Sequence, residues 1–241
     1  MEKSNEAYKT DTNDTLLTSI MEGNPHYFDS VLKNKDRWRV QIIYTQIDRG
    51  GNGLPKLTHH SFNLQPSLYF YPASTVKLPG AVLALQKLNE LNIAGLDKNT
   101  TMITEGGADG QTGVFNDPSS VNGRPSIAHY IKKIFLVSDN DAYNRLYEFL
   151  GQEYINTRLH SMGYDSAQLL HRLQLSLTEE QNRTTNPVKF YGATSNLIFQ
   201  QPLVKSNFAY RPRQIFLGDG YLSGDKLIQQ PFNFSKKNCI T

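Results

Sequence analysis

One cysteine, one tryptophan and no run of eighteen or more apolar residues mark this 241-residue sequence by what it withholds. A lone cysteine, Cys239, excludes an intrachain disulfide; with no histidine beside it, it reads as an incidental thiol. The missing apolar run excludes a membrane-spanning helix. Met1 to Asp14 is polar and lacks the apolar core of a secretion signal, so the mature chain starts here, the chain has been trimmed, or the protein is cytoplasmic. Metal ligands are scarce. His59 and His60 are adjacent, point to opposite faces of a strand and have no partner carboxylate nearby, so neither a metal nor any other cofactor is expected. Gly106, Gly107 and Gly110 are not a phosphate loop, because no lysine follows at the needed spacing.

Charge is modest in sum and uneven in place. The net charge is +3, yet residues 188–241 hold seven Lys/Arg against two Asp/Glu, leaving +5 there and −2 elsewhere. Phe208-Ala209-Tyr210-Arg211-Pro212-Arg213 interleaves aromatics with arginines, but no nucleic-acid-binding module surrounds it, so it reads as a solvated, twisted loop. A hydrophobic content of 38% describes a globular chain long enough for a substantial core.

Periodicity predicts the elements. Residues 13–33 are helical with a break at Asn24-Pro25; Asn13 or Asp14 caps, and Leu16, Leu17, Ile20 and Met21 share a face. Trp38 to Asp48 alternates as a strand, Gly50 to Gly53 turns, and Lys56 to Asn63 returns. Beyond Pro72 the pattern is mostly helical. A glycine-rich loop spans 106–123, a helix begins at Pro125, and Ser138-Asp139-Asn140-Asp141 breaks it from a further helix stopped by Gly151. Gln152 to Met162 is again amphipathic and ends at Gly163. After Pro187 the chain is extended, aromatic and punctuated by proline.

Three S-x-x-K spacings occur, at Ser30–Lys33, Ser74–Lys77 and Ser223–Lys226. Residues three apart share a helix face, so such a lysine can take the serine's proton and make the alcohol an acylating nucleophile. Ser30 and Lys33 close a polar segment, and Ser223 lies among glycines. Only Ser74 opens an apolar run of helical spacing, Leu78, Ala81, Val82, Leu85 and Leu88, which predicts a central buried helix. Pro79 cannot donate a helix hydrogen bond, so the first turn should be kinked or tightened. Ser138-Asp139-Asn140 reads alone as a helix cap; beside Ser74 and Lys77 it also fits a polar corner that turns Ser138 and Asn140 into a cleft.

Taken together, S-x-x-K at 74–77 and S-D-N at 138–140 resemble the penicillin-recognising serine enzymes, class A β-lactamases in particular. Ile127 to Gly151 resembles the helix–corner–helix around that motif. Asn182-Arg183-Thr184-Thr185-Asn186-Pro187 resembles the segment that closes the family's omega loop, with Asn186 interrupting it. The resemblance covers roughly residues 15–190. It implies an α+β fold of the β-lactamase/transpeptidase type, a helical lobe packed on an antiparallel sheet. Domain bounds follow: a disordered 1–14, a catalytic domain at 15–190, and an extended basic insertion or tail at 191–241.

The roles it implies are Ser74 as acyl-accepting nucleophile, Lys77 as base or part of the base, Ser138 as proton relay to the leaving nitrogen, and Asn140 as partner of the substrate's side-chain amide. The backbone N–H of Ser74 would supply half of the oxyanion hole. It further implies a β-lactam or D-alanyl peptide substrate, a monomer with no nucleic-acid partner, and a periplasmic or extracellular location. Two departures qualify it. The family's Lys-Thr/Ser-Gly strand is missing, Lys236-Lys237-Asn238 being a poor candidate, so the sheet is expected to be incomplete and the chain an N-terminal portion. Where the omega loop should carry a water-activating glutamate, Leu169 to Gln174 holds no carboxylate; Glu179 and Glu180 lie closer to Pro187 and read as solvated loop residues. Three functions stay open: a β-lactamase-like hydrolase, a D-alanyl peptidase or esterase, and a non-catalytic binding or sensor module.

Overall fold

Asn24 and Pro25 split the first helical stretch in two because proline is accepted in a first helical turn and nowhere further in. Helix α1 (Thr15–Glu22) ends there and α2 (Pro25–Asn34) begins with Pro25 in its first turn. The computed structural model describes residues 15–209 apart from 52, 67, 71, 108 and 109, and the backbone of four short strands between 215 and 234. Asn13, Asp14, the aromatic–arginine run beyond Ala209 and Lys236–Asn238 lie outside the described residues. The chain divides into two compact units, Met1–Phe70 and Tyr71–Thr241.

The first unit holds α1, α2 and an antiparallel hairpin of β1 (Ile42–Arg49) and β2 (Pro55–Phe62), in register from Ile42↔Phe62 to Arg49↔Pro55. The expected strand from Trp38 starts late. Trp38 and Val40 donate backwards to Asn34 and Lys35 carbonyls, and Arg39 takes a left-handed φ of 53°, so residues 35–39 unwind the helix instead. Ser30 and Lys33 sit within α2, where Lys33 pairs with Asp29 at 2.6 Å.

In the second unit a 3-10 turn (Ala73–Val76) leads into α3 (Lys77–Leu91). After β3 (Thr101–Thr104) come α4 (Ile127–Val137), α5 (Asn140–Leu150) and α6 (Gln152–Ser161). The short α7 (Glu179–Arg183) follows, then β4 (Thr184–Thr185), β5 (Val188–Tyr191), β6 (Leu197–Gln201) and β7 (Val204–Lys205). Strands β8 (Ile215–Phe216), β9 (Tyr221–Ser223), β10 (Lys226–Ile228) and β11 (Asn233–Phe234) pair antiparallel as β8 with β11 and β9 with β10. Ser223 and Lys226 face each other across the β9–β10 hairpin, a strand pairing rather than a helix face.

This is a mixed α+β architecture: helices packed on the antiparallel sheet β3-β5-β6. The core joins Ala81, Ala84 and Leu88 of α3 to Tyr143, Leu146 and Phe149 of α5, and to Met102, Val188 and Phe190 of the sheet. Phe149 and Phe190 meet edge to face, centroids 5.3 Å apart, a geometry the ring quadrupoles favour. Strand β3 has only four residues, too few to show a period; pairing with β5 makes it a strand.

The buried face of α3 is not the one its bulkiest residues mark. Gly80, Ala81, Leu83, Ala84 and Leu88 are buried with Lys77, whereas Leu78 and Val82 are 56% and 53% exposed. Small residues decide this. A Cβ on Gly80 would lie 3.0 Å from the Tyr143 ring, so α5 approaches along the Gly80–Ala84 row and the neighbouring leucine–valine row faces out.

A polar ladder fixes the loop that follows α6. Asn140, Asn144 and Glu148 recur every four residues on α5 and therefore share one face. Asn140 bonds Gln174, Asn144 exchanges two bonds with the Leu173 backbone at 2.8 and 3.0 Å, and Glu148 pairs with Arg172 at 2.8 Å. The same step continues to Gln152, which donates to Leu170 O, and to Asn156, which clasps the Leu169 backbone. Glu148 and Arg172 are both buried; Glu148 also accepts from Asn186 N at 2.5 Å, and Arg172 donates to Gln181 O, Gln111 and Thr184 O. Removing one member of a buried ion pair strands the other charge, at a cost of about 3–5 kcal/mol. Arg172→Met should therefore lower unfolding free energy by about that amount in chemical denaturation, and adding Glu148→Leu should recover only part of it, because it also takes away the acceptor of the buried Asn186 N–H.

Candidate active site

Ser74 stands on the 3-10 turn ahead of α3. Ala73, just before it, adopts a left-handed φ of 45°, and Thr75 donates to Pro72 O through its N–H and its hydroxyl, at 2.9 and 2.6 Å. The tight turn lies ahead of α3, not in the helical turn that holds Pro79. Pro79 falls third in α3, among the first four positions whose N–H groups have no intrahelical acceptor, so its missing donor costs nothing.

Lys77, 2% exposed, sends its ammonium into a cage of acceptors. Nζ lies 3.1 Å from Ser74 Oγ, 2.9 Å from Ser138 Oγ, 2.5 Å from Ser138 O and 2.6 Å from Asn140 Oδ1. Burial holds the Lys77 amine below the ordinary lysine pKa, against the partial opposition of the Asp139 charge.

Ser138 ends α4 with a left-handed φ of 53°, its N–H returning to Ile134 O. That turn puts its hydroxyl 3.2 Å from Ser74 Oγ. Asp139 points elsewhere: it caps α5 by accepting from Ala142 N at 2.8 Å and pairs with Lys133 at 3.2 Å. Lys133 in turn reaches Asp117 at 3.3 Å, so a carboxylate–ammonium–carboxylate chain braces the corner. Asn140 opens α5. Its oxygen must accept from Lys77, which leaves its NH₂ to donate to Gln174 Oε1 at 2.8 Å.

The structure thus brings Ser74, Lys77, Ser138 and Asn140 to one hydrogen-bonded cluster. Glu179 and Glu180 fall in the first turn of α7, where Glu179 pairs with Arg183 at 3.2 Å and Glu180 with Lys205. The loop residue bonded to the Lys77–Asn140 pair is Gln174, held at a left-handed φ of 58°. Sequence reading passes over Gln174, Lys133 and Asp117. The four-residue repeat of Asn140, Asn144 and Glu148 is the signal that could have found the first. Three non-glycine residues at positive φ, Ala73, Ser138 and Gln174, belong to or adjoin the cluster, a concentration of backbone strain typical of functional sites.

A model of the β-lactamase enzyme family matches residues 27–208, and the chain belongs to that family. No curated protein and no solved structure matches it.

The brace under the corner has a pH signature. Burial alone would raise the Asp139 carboxyl, but the Ala142 N–H and Lys133 outweigh it and leave it below its ordinary value of 3.8. Asp117 is likewise lowered: burial raises it, and Ser119 and Lys133 more than offset that. Groups depressed on folding add stability that is present above the unfolded pKa and lost as pH falls through the folded one. The melting temperature should therefore drop on acidification from about pH 5 to about pH 2. Lys133→Met should lose roughly 1–3 kcal/mol at neutral pH and show a shallower acid dependence, both readable by calorimetry across pH.

Proposed function

We propose that this member of the β-lactamase enzyme family is a serine acyl hydrolase that takes its acyl group on Ser74, with a β-lactam as donor. The observation that carries the reading is the buried Lys77 amine, 3.1 Å from Ser74 Oγ and 2.9 Å from Ser138 Oγ. An amine in that place can accept the serine proton once it is neutral, and its burial favours the neutral form. Ser74 Oγ then bonds to the lactam carbonyl carbon, and its proton passes to Lys77. As the carbon–nitrogen bond opens, Ser138 delivers a proton to the nitrogen and is replenished from Lys77. Water later cleaves the Ser74 ester. Asn140 is cast as the partner of the substrate's side-chain amide and as one wall of the Lys77 cage.

A second reading, in which the acyl-enzyme forms and is retained in the manner of a penicillin-binding D-alanyl peptidase, is favoured by Gln174. The loop offers a primary amide at the Lys77–Asn140 pair, and an amide has no basicity with which to draw a proton from water.

After incubation with benzylpenicillin, mass spectrometry should find one covalent adduct, on Ser74, that is absent from Ser74→Ala. Lys77→Ala should slow its formation by about 10²–10⁴-fold, the range for loss of a positioned general base. In the unsubstituted protein the acylation rate should climb as pH rises through the depressed Lys77 pKa, since only the neutral amine accepts a proton. Absence of any adduct on the folded chain would sink the Ser74 assignment and leave a binding module. With a chromogenic β-lactam, sustained turnover supports hydrolysis, whereas one equivalent released followed by a stall supports the retained acyl-enzyme.

A further inference from the structure

Helix α3 carries a second lysine, Lys87, ten residues beyond Lys77 and so about 15 Å along the axis. Lys87 lines a cavity of about 550 Å³ between α3, the α5–α6 junction and strands β4, β6 and β7, a size typical of small-molecule sites. Leu150, Tyr154 and Val204 give the cavity apolar surface, and Arg158 and Arg183 give it charge.

Lys87 is a lysine without a counter-ion. Its ammonium donates to Phe149 O, to Gln201 Oε1 at 2.7 Å and, more distantly, to Leu150 O at 3.4 Å. Gln201 turns its oxygen to Lys87 because its NH₂ goes to Glu148 O. Glu90, three residues on along α3, is engaged elsewhere: it accepts from Gln86, Tyr154 and Arg158. Uncharged oxygens are a poor home for a full charge taken out of water. The rings of Phe149 and Tyr154, 4.5 and 5.4 Å from Nζ, offset part of that loss. A neutral amine needs only two acceptors. Phe149 O and Gln201 supply both, which leaves the nitrogen lone pair over. Burial accordingly lowers the Lys87 amine to about 8, against the pull of the Glu90 charge. Lysines desolvated in this way, or set beside other cations, are the ones that add to carbonyl groups.

The rest of the lining says what the carbonyl compound should carry. Glu153 is the one carboxylate there, and it is exposed to solvent. Arg183 is held by Glu179 and by the Ser206 and Phe208 carbonyls. Arg158 gives Nη2 to Glu90 and lies 5.3 Å from the Tyr154 ring centre. Its guanidinium has five N–H groups, more than Glu90 and Tyr154 can use, and its fork matches a carboxylate.

We infer that this cavity is an imine-forming site for a small oxo acid, in which Lys87 Nζ adds to the aldehyde or ketone carbon and Arg158 pairs with the carboxylate. The lone pair of Nζ makes the carbon–nitrogen bond as the carbonyl π pair moves to oxygen. That oxygen then leaves as water with the two amine protons, and a C=N bond remains. No oxidant or reductant is consumed. The site is separate from Ser74 and does not rest on its role.

The test is labelling of the full chain with glyoxylate and sodium cyanoborohydride, which fixes imines as secondary amines, followed by peptide mass spectrometry. At pH 7.5 Lys87 should be labelled roughly tenfold or more faster than exposed Lys56 and Lys132, because each pKa unit below the ordinary 10.5 is a factor of ten in neutral amine. Its rate should level off above about pH 8, and its advantage should vanish in the urea-unfolded chain. Glyoxylate should be favoured over uncharged glycolaldehyde several-fold more at Lys87 than at Lys56 and Lys132. Arg158→Gln, checked for unchanged melting, should remove that extra preference while glycolaldehyde still labels Lys87. Labelling of Lys87 no faster than that of the exposed lysines, or an advantage that survives unfolding, means adventitious modification only and would overturn the site. An extra preference that is absent, or unmoved by Arg158→Gln, would overturn the pairing with a carboxylate. None of these readouts passes through Ser74, so failure of the acyl-enzyme reading leaves them intact.

Discussion

A buried ammonium must give each of its three N–H groups an acceptor, and at Lys77 that requirement gathers two separate stretches of chain. Ser74 comes from the turn ahead of α3, Ser138 supplies both its hydroxyl and its carbonyl from the α4–α5 corner, and Asn140 comes from the first turn of α5. The charge therefore acts as a template. Its desolvation penalty is met only while both segments keep their places, so the hydroxyls 3.2 Å apart are a by-product of satisfying the lysine.

Helix α5 does the corresponding work on the other side. Its polar face, continued by Gln152 and Asn156 of α6, is occupied step by step by the chain running back from Gln174 to Leu169, each rung bonding either a side chain or the backbone itself. Three rungs, Asn140, Asn144 and Glu148, belong to α5, and two, Gln152 and Asn156, to α6 beyond the break at Gly151. The Glu148–Arg172 pair is its most buried rung, and Glu148 extends the same anchor to Asn186, beyond α7. Residues 172 and 186 are thereby pinned to one carboxylate, which fixes both ends of the loop between them.

The helices other than α7, the first hairpin and the two polar motifs were legible from spacing and punctuation alone, because each is a local pattern with a short period. Ser74, Lys77, Ser138 and Asn140 were readable for the same reason: two fixed spacings, each opening or closing a helix. What escaped was set by contacts distant in sequence. Strand β3 exists through its pairing with β5, almost ninety residues on. The buried face of α3 is chosen by where Tyr143 can approach, and small residues rather than large ones mark it. Gln174 has no motif around it, and its importance arises only once the loop is laid against α5. Glu179 and Glu180, attractive as carboxylates, are consumed by α7 and its basic partners.

The bond between Asn140 and Gln174 has a direction. Lys77 donates to Asn140, and Asn140 donates to Gln174, so every proton in the relay points outward from the ammonium. Gln174 receives that bond on one lone pair of its oxygen, and its other polar group is an NH₂. Neither the second lone pair of that oxygen nor the NH₂ group is basic enough to take a proton from water. The end of the relay is thus an amide without basicity, where a carboxylate would place an acceptor at both of its oxygens.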